Sequence, residues 1–150
     1  MKKDNLNKAI RIASIVHAGT KGKSKEPAIL HPIRVMMKMD DKKSRIVAVL
    51  HDVVESKKMN LDDLLNSGFS KNVCHTIDLL SRKDYEKYSN YISRLKKSQL
   101  AVKVKLADLE DNYLTKISSK KLSKIDKEKI KKYKKYYKEL SGKKLHQVSK

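Results

Sequence analysis

The apolar run Ile46-Val47-Ala48-Val49-Leu50 ends abruptly in His51-Asp52-Val53-Val54-Glu55. The run reads as a buried helix. A helix that carries an imidazole and two carboxylates out of an apolar core must supply them with partners, because a polar group buried without one costs about 2–7 kcal/mol. On a helix Glu55 lies four residues after His51 and three after Asp52, so all three lean to one side. A cation is the usual partner for such a set, which joins a borderline nitrogen ligand to a hard oxygen ligand and leaves a carboxylate spare. A His–Asp hydrogen bond beside a solvated Glu is the plainer alternative. The motif alone favours the plainer alternative, and what overturns it comes from elsewhere in the chain.

At 150 residues the chain is long enough for one domain, 1–150, with a proper core. Only 4 Gly and 2 Pro punctuate it, so strands bounded by frequent turns are not expected and an all-α fold is. The single cysteine, Cys74, excludes an internal disulfide and suits a reducing cytoplasm. Behind Met1-Lys2-Lys3-Asp4-Asn5 there is no apolar run, so no signal peptide is expected. No stretch approaches the roughly 18 apolar residues of a membrane helix, so no membrane partner is expected. The net charge of +20 points to anionic partners: nucleic acid, a phosphorylated metabolite or an acidic surface. Much of it is local, since residues 116–150 hold 14 Lys against Asp126, Glu128 and Glu139, a net +11. Lysine without arginine is a weak nucleic-acid signal, and a solvated basic helix has the same composition.

Periodicity predicts helices over 4–18, 28–38, 42–54, 61–65, 70–80, 84–95, 98–114 and 123–140. Gly19 is the stop of the first, Asn60 the N-cap of the fourth, and Pro32 suits the first turn of the second, which puts His31 near its start. Cys74 reads as core filler and His75 is not taken as a ligand. Tyr85, Tyr88, Ile92 and Leu95 form the expected stripe of one helix, and Ile125, Ile130, Tyr133 and Leu140 that of the last. Between the first two helices runs Thr20-Lys21-Gly22-Lys23-Ser24-Lys25-Glu26-Pro27, whose lysines, glycine and hydroxyl could grip a phosphate. Lys105, Asp108 and Asn112 share a helical face, with Thr115 close by. The last ten residues have no strong pattern and are expected to be disordered.

His31, His51-Asp52 and Asp108 are metal-capable side chains carried by three predicted helices. Their order, ending in an Asp within Lys105-Leu106-Ala107-Asp108, resembles the HD superfamily of metal-dependent phosphohydrolases. One branch is closer. His17-Ala18-Gly19, Lys23-Ser24, Glu26-Pro27 and His31-Pro32 look like the loop of the guanosine tetraphosphate hydrolases, of RelA/SpoT and Mesh type. His51-Asp52-Val53-Val54-Glu55 matches that branch's HDxVE motif, and Lys105 to Asp108 with Asn112 its KLAD motif. The resemblance covers about residues 5–117; the lysine-rich helix beyond is not matched. It implies a single-domain helical bundle around one divalent ion, typically manganese, held by His31, His51, Asp52 and Asp108. It implies Glu55 as the acid or base that handles the attacking water, and Lys23, Ser24, Asn112 and Thr115 as substrate contacts. Departures are visible: Ser56 replaces an acid, Gly22 an Arg that helps to hold the guanine, Ala28 a Tyr and Thr20 a Gln.

The function expected is therefore metal-dependent hydrolysis of a phosphorylated nucleotide or related phosphoester. Guanosine tetraphosphate 3′-pyrophosphohydrolase is the narrower alternative. A third, of another class, is a non-catalytic metal-bound HD module that binds nucleic acid through its basic tail. The ligand set and Glu55 favour an enzyme, and Ser56 favours the binding module. The lysine-rich helix is expected to dock through its apolar stripe and steer anionic substrate without entering the chemistry.

Overall fold

The computed structural model describes residues 4–22 and 25–145. Among them are eight helices and no strand: α1 (Leu6–Val16), α2 (Leu30–Met37), α3 (Lys42–Leu50), α4 (Leu61–Asn66), α5 (Lys71–Leu80), α6 (Tyr88–Leu95), α7 (Gln99–Ile117) and α8 (Lys124–Ser141). All of these helices but α2 and α6 begin where a short polar side chain caps them. Asn5, Asp41, Asn60, Ser70, Ser98 and Ser123 each accept the backbone N–H three residues on, and Asn60–Asp63 and Ser123–Asp126 complete the exchange as capping boxes. Each such cap is worth roughly 0.5–2 kcal/mol.

Ile46, Val47, Ala48, Val49 and Leu50 are all fully buried, so α3 is the central helix, apolar on every side because it is packed on every side. Helices α1, α2, α5 and α7 pack against it, and α8 lies along α7. No described helix is long and apolar enough to cross a membrane.

Four expectations need correction. The helix predicted over 42–54 stops at Leu50. His51 Nδ1 donates to the Ala48 carbonyl at 2.6 Å and residues 51–58 continue as turns, with Lys57 in the left-handed region at φ 63. His51, Asp52 and Glu55 thus curl around a cavity from a turn instead of sharing a helical face. Next, α6 begins at Tyr88, not at 84, because Glu86 is held by Arg94 Nε at 2.9 Å and by the Lys83 N–H at 3.2 Å. Tyr85, placed in the stripe by its spacing, is 90% exposed on that loop, and Tyr91 takes its place inside. Finally, Ile125 is 64% exposed: Lys116 Nζ grips Asp126 at 3.0 Å, which turns that face of α8 to α7 and its neighbour to solvent. The buried stripe of α8 is Tyr133, Tyr136 and Tyr137. Leu145 is buried, contrary to the expected loose end, whereas residues 146–150 lie outside the described residues.

Candidate metal centre

His31 enters from the first turn of α2, His51 from the end of α3 and Asp108 from the middle of α7. His31 Nε2 lies 2.8 Å from Asp108 Oδ1, and His51 Nε2 lies 3.4 Å from the same oxygen. Asp52, next along the turn, places Oδ1 3.2 Å from His51 Nε2 and Oδ2 3.8 Å from His31 Nε2. One donor atom from each of His31, His51 and Asp108 falls within 4.8 Å of the others.

The chemistry of this donor set suits a divalent cation. Both imidazoles spend Nδ1 elsewhere, His51 on the Ala48 carbonyl and His31 on Asp111 Oδ2, each at 2.6 Å. With Nδ1 spent this way, Nε2 is the atom of each ring left facing the carboxylates, the arrangement a metal ligand needs once any proton there is displaced. His51 Nε2 is buried and finds no hydrogen-bond partner among the described residues, a rare and costly condition that a ligand would relieve. The electrostatics agree. Burial opposes protonation of His31, but its hydrogen bonds to Asp108 and Asp111 overcome that and lift its pKa to about 10. Burial would likewise raise Asp108, yet the Lys105 ammonium 2.8 Å away and the two imidazoles hold it well below the carboxylate range. The centre favours positive charge at the point where the two Nε2 atoms meet.

These groups form the floor of a cavity of about 430 Å³. Glu55 stands at its wall, its Oε1 accepting the Arg82 backbone N–H at 2.6 Å. Although one side of Glu55 is open to solvent, the protein around it and then the Asp52 charge push its pKa up. Ser56 does not line the cavity: its hydroxyl donates to the Val53 carbonyl at 2.5 Å and accepts the Lys58 N–H, which secures the turn. Asn112 and Thr115 line it, Asn112 with its amide 3.3 Å from Asp108 Oδ1. Lys23 and Ser24 lie outside the described residues.

Opposite the metal group, α8 forms the other wall with Lys129, Lys132 and Tyr133. Lys132 Nζ sits 3.7 Å from the centre of the Tyr88 ring, and Arg82 and Lys105 lie 5.4 and 5.6 Å from that same centre. Lys132 and Arg82, drawn by the quadrupole of one ring, add positive charge to this side of the cavity, whereas the Lys105 charge is paired with Asp108.

Sequence reasoning missed several residues here. Asp111, partner of His31, lies three residues after Asp108 on α7, and Arg34, partner of Asp111, lies three after His31 on α2; helical spacing was their signal. His17 lines the cavity with Nε2 buried and unbonded, its pKa lowered mainly by burial. Nothing local in the sequence marked Lys129 and Lys132 among the other lysines of α8.

No protein-family model and no curated protein matches the sequence. Among solved structures the chain is similar to a metazoan ortholog of SpoT that hydrolyzes ppGpp and plays a role in starvation responses. The two superpose with a TM-score of 0.76 at 21% identity, over 93% of this chain and 86% of that one. The likeness shows that this all-helical chain shares the fold of that structure.

Proposed function

We propose that this protein is a metal-dependent phosphohydrolase acting on a phosphorylated nucleotide or a related phosphoester. The observation that carries the proposal is the convergence of His31, His51 and Asp108, with Asp52 beside them, on the floor of a cavity whose far wall is cationic. These four residues would hold one divalent ion, for which the family resemblance favours manganese. When bound, that ion would offset the charge developing on a phosphoryl group and make water more nucleophilic. Glu55, fixed through Oε1 and with its pKa raised by burial and then by the Asp52 charge, takes the proton of the attacking water. Lys105 keeps Asp108 ionised. Arg82, Lys129 and Lys132 draw the anion in, and Asn112, Thr115, Lys23 and Ser24 serve as its further contacts.

Guanosine tetraphosphate 3′-pyrophosphohydrolase is the narrower form of the proposal. It is supported by the HDxVE and KLAD matches and by the ppGpp hydrolysis ascribed to the structural neighbour. The changes at Thr20, Gly22, Ala28 and Ser56 favour a different nucleotide. A module that binds nucleic acid through α8 is the weaker reading, because Lys129 and Lys132 line the same cavity as His31, His51, Asp108 and Glu55. Cys74, the single cysteine of the sequence and buried, is consistent with a cytoplasmic protein.

The test is a panel of nucleotides and generic phosphoesters given to chelator-stripped protein, with and without added Mn2+. Mn2+-dependent release of phosphate or pyrophosphate is expected from at least one nucleotide. Pyrophosphate from guanosine tetraphosphate selects the narrower form. Absence of any turnover, together with tight and salt-sensitive RNA binding, selects the binding module.

A further inference from the structure

Arg34 lies one turn beyond His31 on α2, and both edges of its guanidinium are engaged. Nε donates to Asp111 Oδ1 at 2.7 Å and Nη2 to Asp111 Oδ2 at 3.0 Å. On the other side Nη2 donates to Glu26 Oε1 at 2.5 Å and Nη1 to Glu26 Oε2 at 3.1 Å. Asp111 Oδ2 also accepts the Nδ1–H of His31 at 2.6 Å. A continuous chain therefore runs from Glu26 through Arg34 and Asp111 to His31, ending at the Nε2 that faces Asp108. Its outer end is anchored as well: the Glu26 carbonyl accepts the Gly22 N–H at 2.7 Å, and the Thr20 carbonyl accepts the Ala28 N–H at 2.8 Å, closing the loop before α2.

We infer that Arg34 is a positioning residue of the metal centre, fixing Asp111 and through it the ring plane and tautomer of His31. The inference rests on the metal-dependent function proposed above. A lone carboxylate can rotate about its last torsion and meet an imidazole in several geometries. Two parallel N–H···O bonds from one guanidinium fix its plane. The same guanidinium shares Oδ2 with His31, so the oxygen that meets Nδ1 is held in place and Nε2 is directed toward Asp108. Glu26 holds the guanidinium from the far side, so that the fork cannot swing away. A lysine at position 34 would keep the charge and lose the planar fork. Outer partners of this kind commonly change metal affinity by 10–100-fold when removed.

Calorimetric titration of Mn2+ into chelator-stripped wild type, Arg34→Gln, Arg34→Lys and Glu26→Gln tests the inference, with thermal melts to confirm folding. Arg34→Gln is expected to weaken Mn2+ binding roughly 10–100-fold. Arg34→Lys should fail to restore wild-type affinity, and Glu26→Gln should give a smaller loss. In Zn2+-loaded protein, the ring 15N shifts of His31 should report a single Nδ1–H tautomer in wild type and a mixture in Arg34→Gln. Folded Arg34→Gln or Arg34→Lys protein with wild-type Mn2+ affinity overturns the inference. If Arg34→Gln does not fold, Arg34→Lys and Glu26→Gln decide in the same way. Wild-type protein that binds no Mn2+ overturns the proposed metal function itself, an outcome distinct from loss of binding in the variants alone.

Discussion

The wall built by α2, α7 and the end of α3 consists of groups that are buried and bonded to one another, whereas the wall built by α8 consists of lysines that reach in from solvent. Asp108 and His51 are 5% and 3% exposed, and hydrogen bonds fix the directions of the His31 ring, the His51 Nδ1 and the Asp108 carboxylate. Lys129 is exposed and Lys132 half-buried, each on a flexible stem. The acids of α8 do not reach the cavity: Asp126 is taken by Lys116 and Glu139 by Lys96, and Glu128 is exposed. One wall can thus select a small hard cation by geometry. The other offers only diffuse positive charge, suited to a mobile anion. A phosphorylated substrate would lie between the two.

The comparison breaks most sharply at Asp108. Its carboxylate meets the buried Lys105 ammonium at 2.8 Å. Replacing it by Asn leaves that ammonium without its counter-charge, and breaking a buried pair from one side costs about 3–5 kcal/mol. Asp108→Asn should therefore lose that much stability in urea unfolding and bind no Mn2+. The double variant Asp108→Asn with Lys105→Met should recover much of the stability and none of the metal binding. A cost for Asp108→Asn alone within about 1 kcal/mol would mean that this wall is not held together as described.

Glu55 separates fold from chemistry. Its side chain is tied only to the Arg82 N–H at the cavity wall, so Glu55→Gln should keep the fold and the metal. Turnover should fall by roughly 10²–10⁴, the usual contribution of a general base. A Gln variant as active as wild type would remove Glu55 from the proton transfer.

Acid should act on the metal-side wall alone. With its folded pKa near 10 against an ordinary value of 6.5, His31 holds its proton more tightly in the folded chain. After chelation that preference stabilises the fold fully below about pH 6.5 and is lost as pH rises through about 10. Metal binding must displace the proton, so its dependence has the opposite sign: Mn2+ affinity should rise about tenfold per pH unit between pH 6 and 8 for one proton released. The Tm of stripped protein and the Mn2+ affinity, measured over the same pH range, should therefore move in opposite directions. A flat Mn2+ affinity would contradict the placement of His31 in the ligand set.

The two walls were also unequally visible in the sequence. His31, His51, Asp52 and Asp108 stood out because each is a metal-capable side chain beside an apolar stretch, where local pattern is informative. The helices followed from scarce glycine and proline and from clear caps such as Asn60. Arg34 and Asp111 lie 77 positions apart and meet only because α2 crosses α7, which no local pattern encodes. The turn at 51–58 escaped because Val53 and Val54 extend the apolar rhythm past the point where His51 bonds back to Ala48. On α8 the spacing identified a packed stripe but placed Ile125 in it, since the pattern does not register that Asp126 docks on Lys116. Lys129 and Lys132 differ from Lys131 or Lys134 only in which side of the docked helix they occupy.

That last difference gives the finest test. Lys129 and Lys132 line the cavity, while Lys131, Lys134, Lys135 and Lys138 are exposed on α8. A charged hydrogen bond made inside the cavity is worth about 1.5–3 kcal/mol, so Lys129→Gln with Lys132→Gln should weaken substrate binding roughly tenfold or more. That loss should persist as salt rises, because the contact is direct. Exposed charges are worth about 0.2–1 kcal/mol each, so Gln at 131, 134, 135 and 138 should mainly slow association. That effect should shrink as the screening length falls from about 10 Å at 0.1 M to about 3 Å at 1 M. Measuring kcat/KM for both sets across a salt series separates a lining from a field. Binding of random RNA and duplex DNA over the same series adds the remaining arm. If the outer four lysines govern a steep salt slope for nucleic acid and leave hydrolysis untouched, α8 serves a polyanion on its outer face and the cavity serves another ligand. If both sets match wild type at every salt concentration, the division of labour between the walls is wrong and α8 is only packing.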